Sequence, residues 1–281
     1  MKNKPVILSV LAHPDDESFG MGGTLALYAE RGADVHLICA TRGEVGEMDE
    51  KYMQGFKSIA DRRESELRCA AGILGLQGVH FLDYRDSGMP GSADNEHPQA
   101  LFAQPVEKVA EEVVAYIREL KPDVVLTFDP IGGYRHPDHI AIHEATVLAF
   151  EHADDATFAS GNGEPFKPRK FYYHTFSRAF LRVSVRLMRL FGQDPTKFGS
   201  NKDIDLESLA AVDFPIHARI NIKSVLWKKE AAGACHASQG GGQMQKGIRG
   251  FVSRLFNGKE MYMQAYPAVE GRYKIERDLL T

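Results

Sequence analysis

The chain has 281 residues, 43% of them hydrophobic, enough to bury a sizeable core in one large α/β domain or two small ones. Its 34 basic and 38 acidic residues leave a net charge of −4, so no global basic field favours nucleic acid or an anionic membrane, and neither is expected as a partner. Cys39, Cys69 and Cys235 are odd in number, far apart and without CxxC spacing, which argues against a disulfide framework or a thiolate zinc site and fits a reducing cytoplasm. The N-terminal lysines precede an apolar run too short for a secretory leader, and no stretch is long and apolar enough to span a bilayer, so the expectation is a soluble intracellular protein.

In chain order, the run from Val6 to Ala12 is apolar almost throughout, as in a strand buried on both faces of a parallel sheet. A glycine-rich start and a glycine stop predict a helix from Gly20 to Gly32, followed by a strand from Asp34 to Thr41. Ile59, Leu67, Ala70, Ala71 and Leu74 share one side of a helix that Gly75 ends, and Val79 to Leu82 supplies a third strand. Val106, Val109, Val113, Ile117 and Leu120 recur at helical spacing before Pro122, and Val124 to Phe128 forms a fourth strand. This alternation implies right-handed crossovers and a mostly parallel sheet with helices on both faces, with ligands bound beyond the carboxyl ends of the strands.

Beyond Pro168 the pattern is less regular. It predicts a strand over 170–176, a helix over 177–192, a strand near 217–222, a helix over 224–238 and then the glycine-rich QGGGQ. Arg178, Arg182, Arg186 and Arg189 form a stripe at helical spacing, read as a solvated face or subunit contact rather than an anion site, because Leu187, Leu190 and Phe191 supply the apolar side. The chain is expected to form a single domain, residues 1–175 carrying the site and residues 176–281 completing the fold and the pocket. Contacts of a homo-oligomer would fall in this second part.

The four strands lead into HPDDESFG, TRGEVGEMDE, DYRDSGMPG and DPIGGYRHPDH, all expected on one sheet edge. His13, Asp15, Asp16 and Glu17 cannot be buried together cheaply unless a cation offsets them. His13 and one of the two aspartates can reach one ion from a turn, and YRHPDHI offers His136 and His139 beside Asp138 as further donors. Two histidines and one carboxylate leave positions open for water and substrate, as hydrolytic zinc sites require. The plainer alternative is that each HP pair only starts a helix capped by Asp. Spacing alone does not choose between Asp15 and Asp16.

AHPDDE together with GGYRHPDH resembles the LmbE/PIG-L superfamily of metal-dependent N-deacetylases, over about Pro5 to Phe150, with a fainter likeness in KEAAGACHASQ. The resemblance implies a Rossmann-like fold and hydrolysis of the N-acetyl or related N-acyl group of an N-acetylglucosamine-type substrate. It implies His13, Asp16 and His139 as zinc ligands and Asp15 as general base. His136, as imidazolium, would stabilise the tetrahedral intermediate or protonate the leaving amine, Tyr134 would polarise the carbonyl, and Glu17 would buttress the loop. Arg63 and Asp86, and more weakly Glu47, map onto sugar contacts; alternatively Arg63 pairs with Glu66 across a helical turn and Asp86 holds a turn with Ser87.

The partner expected is a small N-acylated amino sugar or conjugate. An amidase of glucosamine–thiol conjugates is the nearest alternative. The same donors would also suit Fe²⁺ or another divalent ion, as in Fe(II) oxygenases. A nucleotide-binding module is disfavoured because acidic HPDDES stands where GxGxxG would be needed. His236, Ser238 and Gln239 either shape the site or only pack there. His36, His80, His143, His152, His174 and His217 lack clustered partners and read as structural or surface residues.

Overall fold

The computed structural model describes residues 4–159, 161, 163–176, 178–198, 204–241 and 258–281. A seven-stranded sheet runs through it in the order β3-β2-β1-β4-β5-β7-β6. Its first five strands are β1 (Val6–Leu11), β2 (Asp34–Thr41), β3 (Gly78–Tyr84), β4 (Val124–Phe128) and β5 (Lys170–Thr175), all mutually parallel. At the far edge β7 (Lys259–Tyr266) pairs antiparallel with β5, and β6 (Ala218–Asn221) pairs antiparallel with β7. The helices are α1 (Asp16–Phe19), α2 (Gly22–Glu30), α3 (Ile59–Leu74), α4 (Val106–Leu120), the single turn α5 (Gly132–Arg135), α6 (Pro137–His152), α7 (Arg178–Leu190), α8 (Leu206–Ala211) and α9 (Leu226–Cys235). Packing groups α2, α3 and α9 together and α4 with α6, and every residue of β4 is buried between them.

The expected spans of β2, α4 and β4 coincide with those observed. The boundary signals of α3 act as read: Ser58 Oγ accepts from the Asp61 N–H at 3.1 Å, and Gly75 ends the helix at φ 81. The helix expected from Gly20 to Gly32 appears as α2, and the additional single turn α1 precedes it within the HPDDESFG stretch. The start of α2 is anchored from a distance, since the Glu260 carboxylate accepts from the Gly23 and Thr24 N–H groups at 3.0 and 2.7 Å. An anion at a helix N-terminus is favoured by the exposed N–H groups and the helix dipole. In a dinucleotide fold that place belongs to phosphate; here the chain's own carboxylate fills it, which weighs against the nucleotide reading.

Strand β7 has no counterpart in the sequence reading. Its buried positions include Glu260 and Gln264, so the apolar alternation that announces a strand is inverted. The short α8 likewise has no counterpart there, and the QGGGQ stretch and Ser177 lie partly or wholly outside the described residues. The expectation about cysteines is corrected: Cys69 on α3 and Cys235 on α9 form a disulfide with Cα atoms 6.0 Å apart, and Cys39 is the free, buried thiol. Their separation of 166 residues conceals a proximity that only the packing of α3 on α9 creates.

Candidate active site

Strands β1 and β4 are neighbours, and β1 is flanked by β2 on its other side, so the chain order reverses between β1 and β4. Loops leaving such a switch point diverge and open a crevice at the carboxyl edge. His13, Asp15 and Asp16 follow β1; Tyr134, His136 and His139 follow β4. Asp15 has φ 131, a backbone conformation uncommon for a residue with a side chain. It is held there by the Ser18 and Phe19 N–H groups, which donate to its carbonyl at 3.0 and 2.9 Å, and by its own N–H, which donates to Glu17 at 3.0 Å. On the other loop Gly132 has φ +61, and a Cβ there would stand 2.7 Å from that of His139.

The donor atoms expected to hold a cation converge. His13 Nδ1 lies 3.2 Å from His139 Nε2 and 3.6 Å from Asp16 Oδ2, and His139 Nε2 lies 3.3 Å from Asp16 Oδ1. A tetrahedral ion with bonds of about 2.0–2.1 Å holds its ligand atoms about 3.3–3.4 Å apart, so the three residues fit a zinc-sized ion. Their outer nitrogens are also fixed. His139 Nδ1 is 3.2 Å from the Gly132 carbonyl, and His13 Nε2 is 3.1 Å from Asp138 Oδ2. Carboxylate and carbonyl partners of this kind set the tautomer that turns the other nitrogen to a metal. His13, His136 and His139 form one metal-capable group, and His13, Asp86 and Asp138 another.

Electrostatics follow the crowding. Burial opposes a charge on His13, but Asp86, Asp138 and Asp16 hold its pKa well above the usual histidine value. Burial likewise opposes ionisation of Asp16, yet His139 and His13 hold it well below the usual carboxylate range. Asp15 differs: burial pushes it up to about 6, aided by Asp16 and resisted by Arg63 and His236. Burial, then positive charge on His13 and His139, pushes His136 down to about 2. Its Nδ1 accepts from the Asp138 N–H at 3.2 Å, so a neutral ring carries its proton on Nε2. The helix-start alternative holds only in part: Pro137 stands at the first position of α6, but its cap is His136 rather than an aspartate, and Asp15 at the start of α1 makes no side-chain cap bond.

Arg63 is buried and cross-links the loops, donating to the Gly43 carbonyl at 3.0 Å, the Pro14 carbonyl at 2.8 Å and Asp15 Oδ2 at 3.1 Å. Glu66 pairs not with Arg63 but with Arg62 at 2.8 Å, and it also accepts from Ser238 Oγ at 2.6 Å. Asp86 is buried, accepts from the Gly88 N–H at 2.8 Å and lies 3.6 Å from His13 Nε2. Glu47 is exposed at the rim. A cavity of about 390 Å³ gathers His13, Asp15, Arg63, Asp86, Tyr134 and His136, with Glu47 and Gln239 at its border.

Several supporting residues carry no signal of their role in the sequence. Asp138 binds His13 and also accepts from the Ser87 N–H and hydroxyl, which ties the loop after β3 to α6. Glu17 buttresses the first loop as expected, and its fully buried partner is His236 at 2.7 Å, so the KEAAGACHASQ stretch reaches the site through this contact. The arginine stripe is corrected at one end: Arg178 is 1% exposed and donates to Asp129 at 3.1 Å, whereas Arg182 and Arg189 pair with Asp213 and Glu207. The apolar side of the same helix is open, with Leu187, Leu190 and Phe191 exposed. His36 and His80, expected to be isolated, meet at 3.3 Å across β2 and β3.

A Rossmann-like sheet with two histidines and an aspartate converging beside a buried carboxylate at its switch point suits the class of metal-assisted hydrolases. Within that class the chain belongs to the PIG-L family, described as GlcNAc-PI de-N-acetylase, which it matches over residues 8–150. The 1D-myo-inositol 2-acetamido-2-deoxy-alpha-D-glucopyranoside deacetylase of Thermobifida fusca (strain YX) is 36% identical over 242 residues, covering 83% of this chain and 82% of the relative. Its namesake from Rhodococcus jostii (strain RHA1) is 37% identical over 242 residues, covering 83% and 81%.

Among solved structures, the conserved protein TT1542 from Thermus thermophilus aligns with a TM-score of 0.61 at 22% identity, covering 94% of this chain and 96% of that one. The 4-carboxy-2-hydroxymuconate hydratase GalB from Pseudomonas putida KT2440 aligns at 0.60 with 20% identity, covering 96% and 100%. These two likenesses speak to the fold, and the second shows that the fold alone does not dictate the reaction.

Proposed function

We propose that this protein is a zinc-dependent N-deacetylase that hydrolyses the N-acyl bond of a small N-acetylglucosamine-type substrate. The observation that carries the reading is the convergence of His13, Asp16 and His139 donor atoms to 3.2–3.6 Å, with Asp15 beside them. A divalent ion held there would supply Lewis-acid polarisation and lower the pKa of a bound water from 15.7 to about 7.

The chain's own residues do the rest. Asp15, raised to about 6 by burial, accepts the proton of the attacking water near neutrality. His136, a neutral ring with its proton on Nε2, borders the cavity and donates a hydrogen bond to the carbonyl oxygen as negative charge develops. Asp15 then passes the proton taken from water to the departing nitrogen. The imidazolium role expected for His136 is corrected, because burial and the positive charge on His13 and His139 push its pKa down to about 2. Tyr134 borders the same space and polarises the carbonyl. Arg63 and Asp86 keep the proposed sugar contacts, although both are already engaged with protein partners, and exposed Glu47 supplies an outer one.

Because β6 and β7 extend the sheet of the first 175 residues and His236 reaches Glu17, we treat the chain as a single domain. A cytoplasmic setting belongs to the same proposal without the cysteine argument, which the Cys69–Cys235 bond removes; among the described residues no helix is long and apolar enough to cross a membrane. The test is release of free amine and acetate by zinc-loaded protein from a panel of N-acetylglucosamine conjugates, with Asp15→Asn as control. Release that survives the substitution would refute the assignment.

A further inference from the structure

A second cavity, about 380 Å³, opens on the same donor set from the other side. Asp15 and Tyr134 border both cavities, whereas His136 borders only the polar one and Asp16 and His139 only the second. The second is walled by Phe19, Phe128, Phe176, Leu181, Phe198 and Leu209, which come from α1, the end of β4, and the α7–α8 region. Among the described residues neither Lys nor Arg lines it, and burial pushes its one further described histidine, His174, down to about 4, so that ring stays uncharged near neutrality. Phe176 and Phe198 are 38% and 47% exposed, leaving apolar surface open to water at the mouth.

We propose that this cavity receives a linear aliphatic acyl chain longer than acetyl, so that the preferred substrates are N-acylated amino sugars with an uncharged alkyl tail. The inference rests on the amide-hydrolase reading above. A scissile amide has two substituents, and Arg63, Asp86 and Glu47, the proposed sugar contacts, border the polar cavity and not the apolar one; the amine and its sugar therefore lie there. The acyl substituent, on the far side of a carbonyl carbon placed between Asp15 and Tyr134, then points into the apolar cavity. An acetyl methyl group would leave most of that space empty, whereas the volume lies in the range of about 300–1,000 Å³ typical of whole ligand pockets. In the reaction, water forms the new C–O bond as the C–N bond breaks, the nitrogen takes a proton, and the products are a fatty carboxylate and a free amine.

The test is kcat/KM of the zinc-loaded full chain for glucosamine N-acylated with acetyl, butanoyl, hexanoyl and octanoyl groups, beside octyl N-acetylglucosaminide. Each buried methylene should raise kcat/KM about fourfold until the cavity is full. Leu181→Trp should lower the octanoyl-to-acetyl ratio about tenfold or more, and Phe198→Ala, at an exposed position, should lower it in the same direction. Octanamide should also bind the metal-free wild-type chain by calorimetry more tightly than acetamide. A series in which acetyl is best overturns the proposal and leaves the deacetylase standing, as does a gain confined to the octyl glycoside. Failure to cleave every member despite bound zinc would instead sink the underlying reading, and octanamide binding no better than acetamide would then remove the cavity assignment as well.

Discussion

Asp15 brings a positive φ, burial and an ion pair with Arg63 together at one residue. Its carboxyl, raised to about 6, must be ionised to act as a base, so activity is expected to rise with pH through about 6 and to lose that limb in Asp15→Asn. The same variant should retain metal while kcat falls about 10²–10⁴-fold, measured by metal analysis beside steady-state kinetics. Arg63 opposes the rise in Asp15, so Arg63→Gln should move the acid limb to higher pH; an unmoved limb would separate Arg63 from the base. His13→Ala should lose both metal and turnover, whereas Asp138→Asn, which keeps the proposed metal ligands and alters the side chain that meets His13 and Ser87, should weaken metal affinity about 10–100-fold in a chelator competition.

At the scale of elements, distant carboxylates set where helices begin and where loops sit. Glu260 on β7 holds the start of α2 and pairs with Lys229 of α9 at 2.5 Å. Glu260→Ala would strand two N–H groups and a part-buried ammonium, so a loss of about 3–5 kcal/mol in urea unfolding is expected. Burial opposes the charge on Glu260, but Lys229 and Thr24 hold its pKa below the usual glutamate value. Its contribution is therefore present above the unfolded-state pKa and lost as pH falls through the lower folded value, so the deficit of the variant should shrink in acid. Asp129 acts similarly at the end of β4: its carboxylate accepts from the Gly133 N–H at 2.8 Å and from Arg178 on α7, joining the helix that walls the apolar cavity to the loop that carries Tyr134 and His136.

Across the whole molecule, the Cys69–Cys235 bond closes a span of 166 residues between α3 and α9, next to the helix end that delivers His236. Replacing both cysteines by serine should cost about 2–5 kcal/mol by equilibrium unfolding. Intact mass before and after reduction reports whether the bond is present, and thiol-reducing conditions should bring wild type to the stability of the double variant. An unchanged unfolding midpoint on reduction would mean that packing of α3 on α9 alone secures this contact.

Local pattern and residue chemistry were enough to specify β1 to β5, α3 and α4, because burial of β1, β2, β4 and β5 writes apolar runs, the edge strand β3 still carries Val79 to Leu82, the helices repeat apolar residues on one face, and several ends carry glycine, proline and serine signals. They also placed His13, Asp16 and His139 at strand ends as candidate donors, although the choice of Asp16 over Asp15 came from family resemblance rather than spacing. Contacts across long separations were decided only by the folded chain: the disulfide, Glu17 with His236, Asp138 with His13, Asp129 with Arg178, and β7 with its buried Glu260. A side chain whose partner lies more than a hundred residues away leaves no periodicity behind, and a buried polar group looks in sequence like any exposed one. The strands could be read from their own residues, whereas the site's supports and its two-sided cavity depend on which residues the fold brings together.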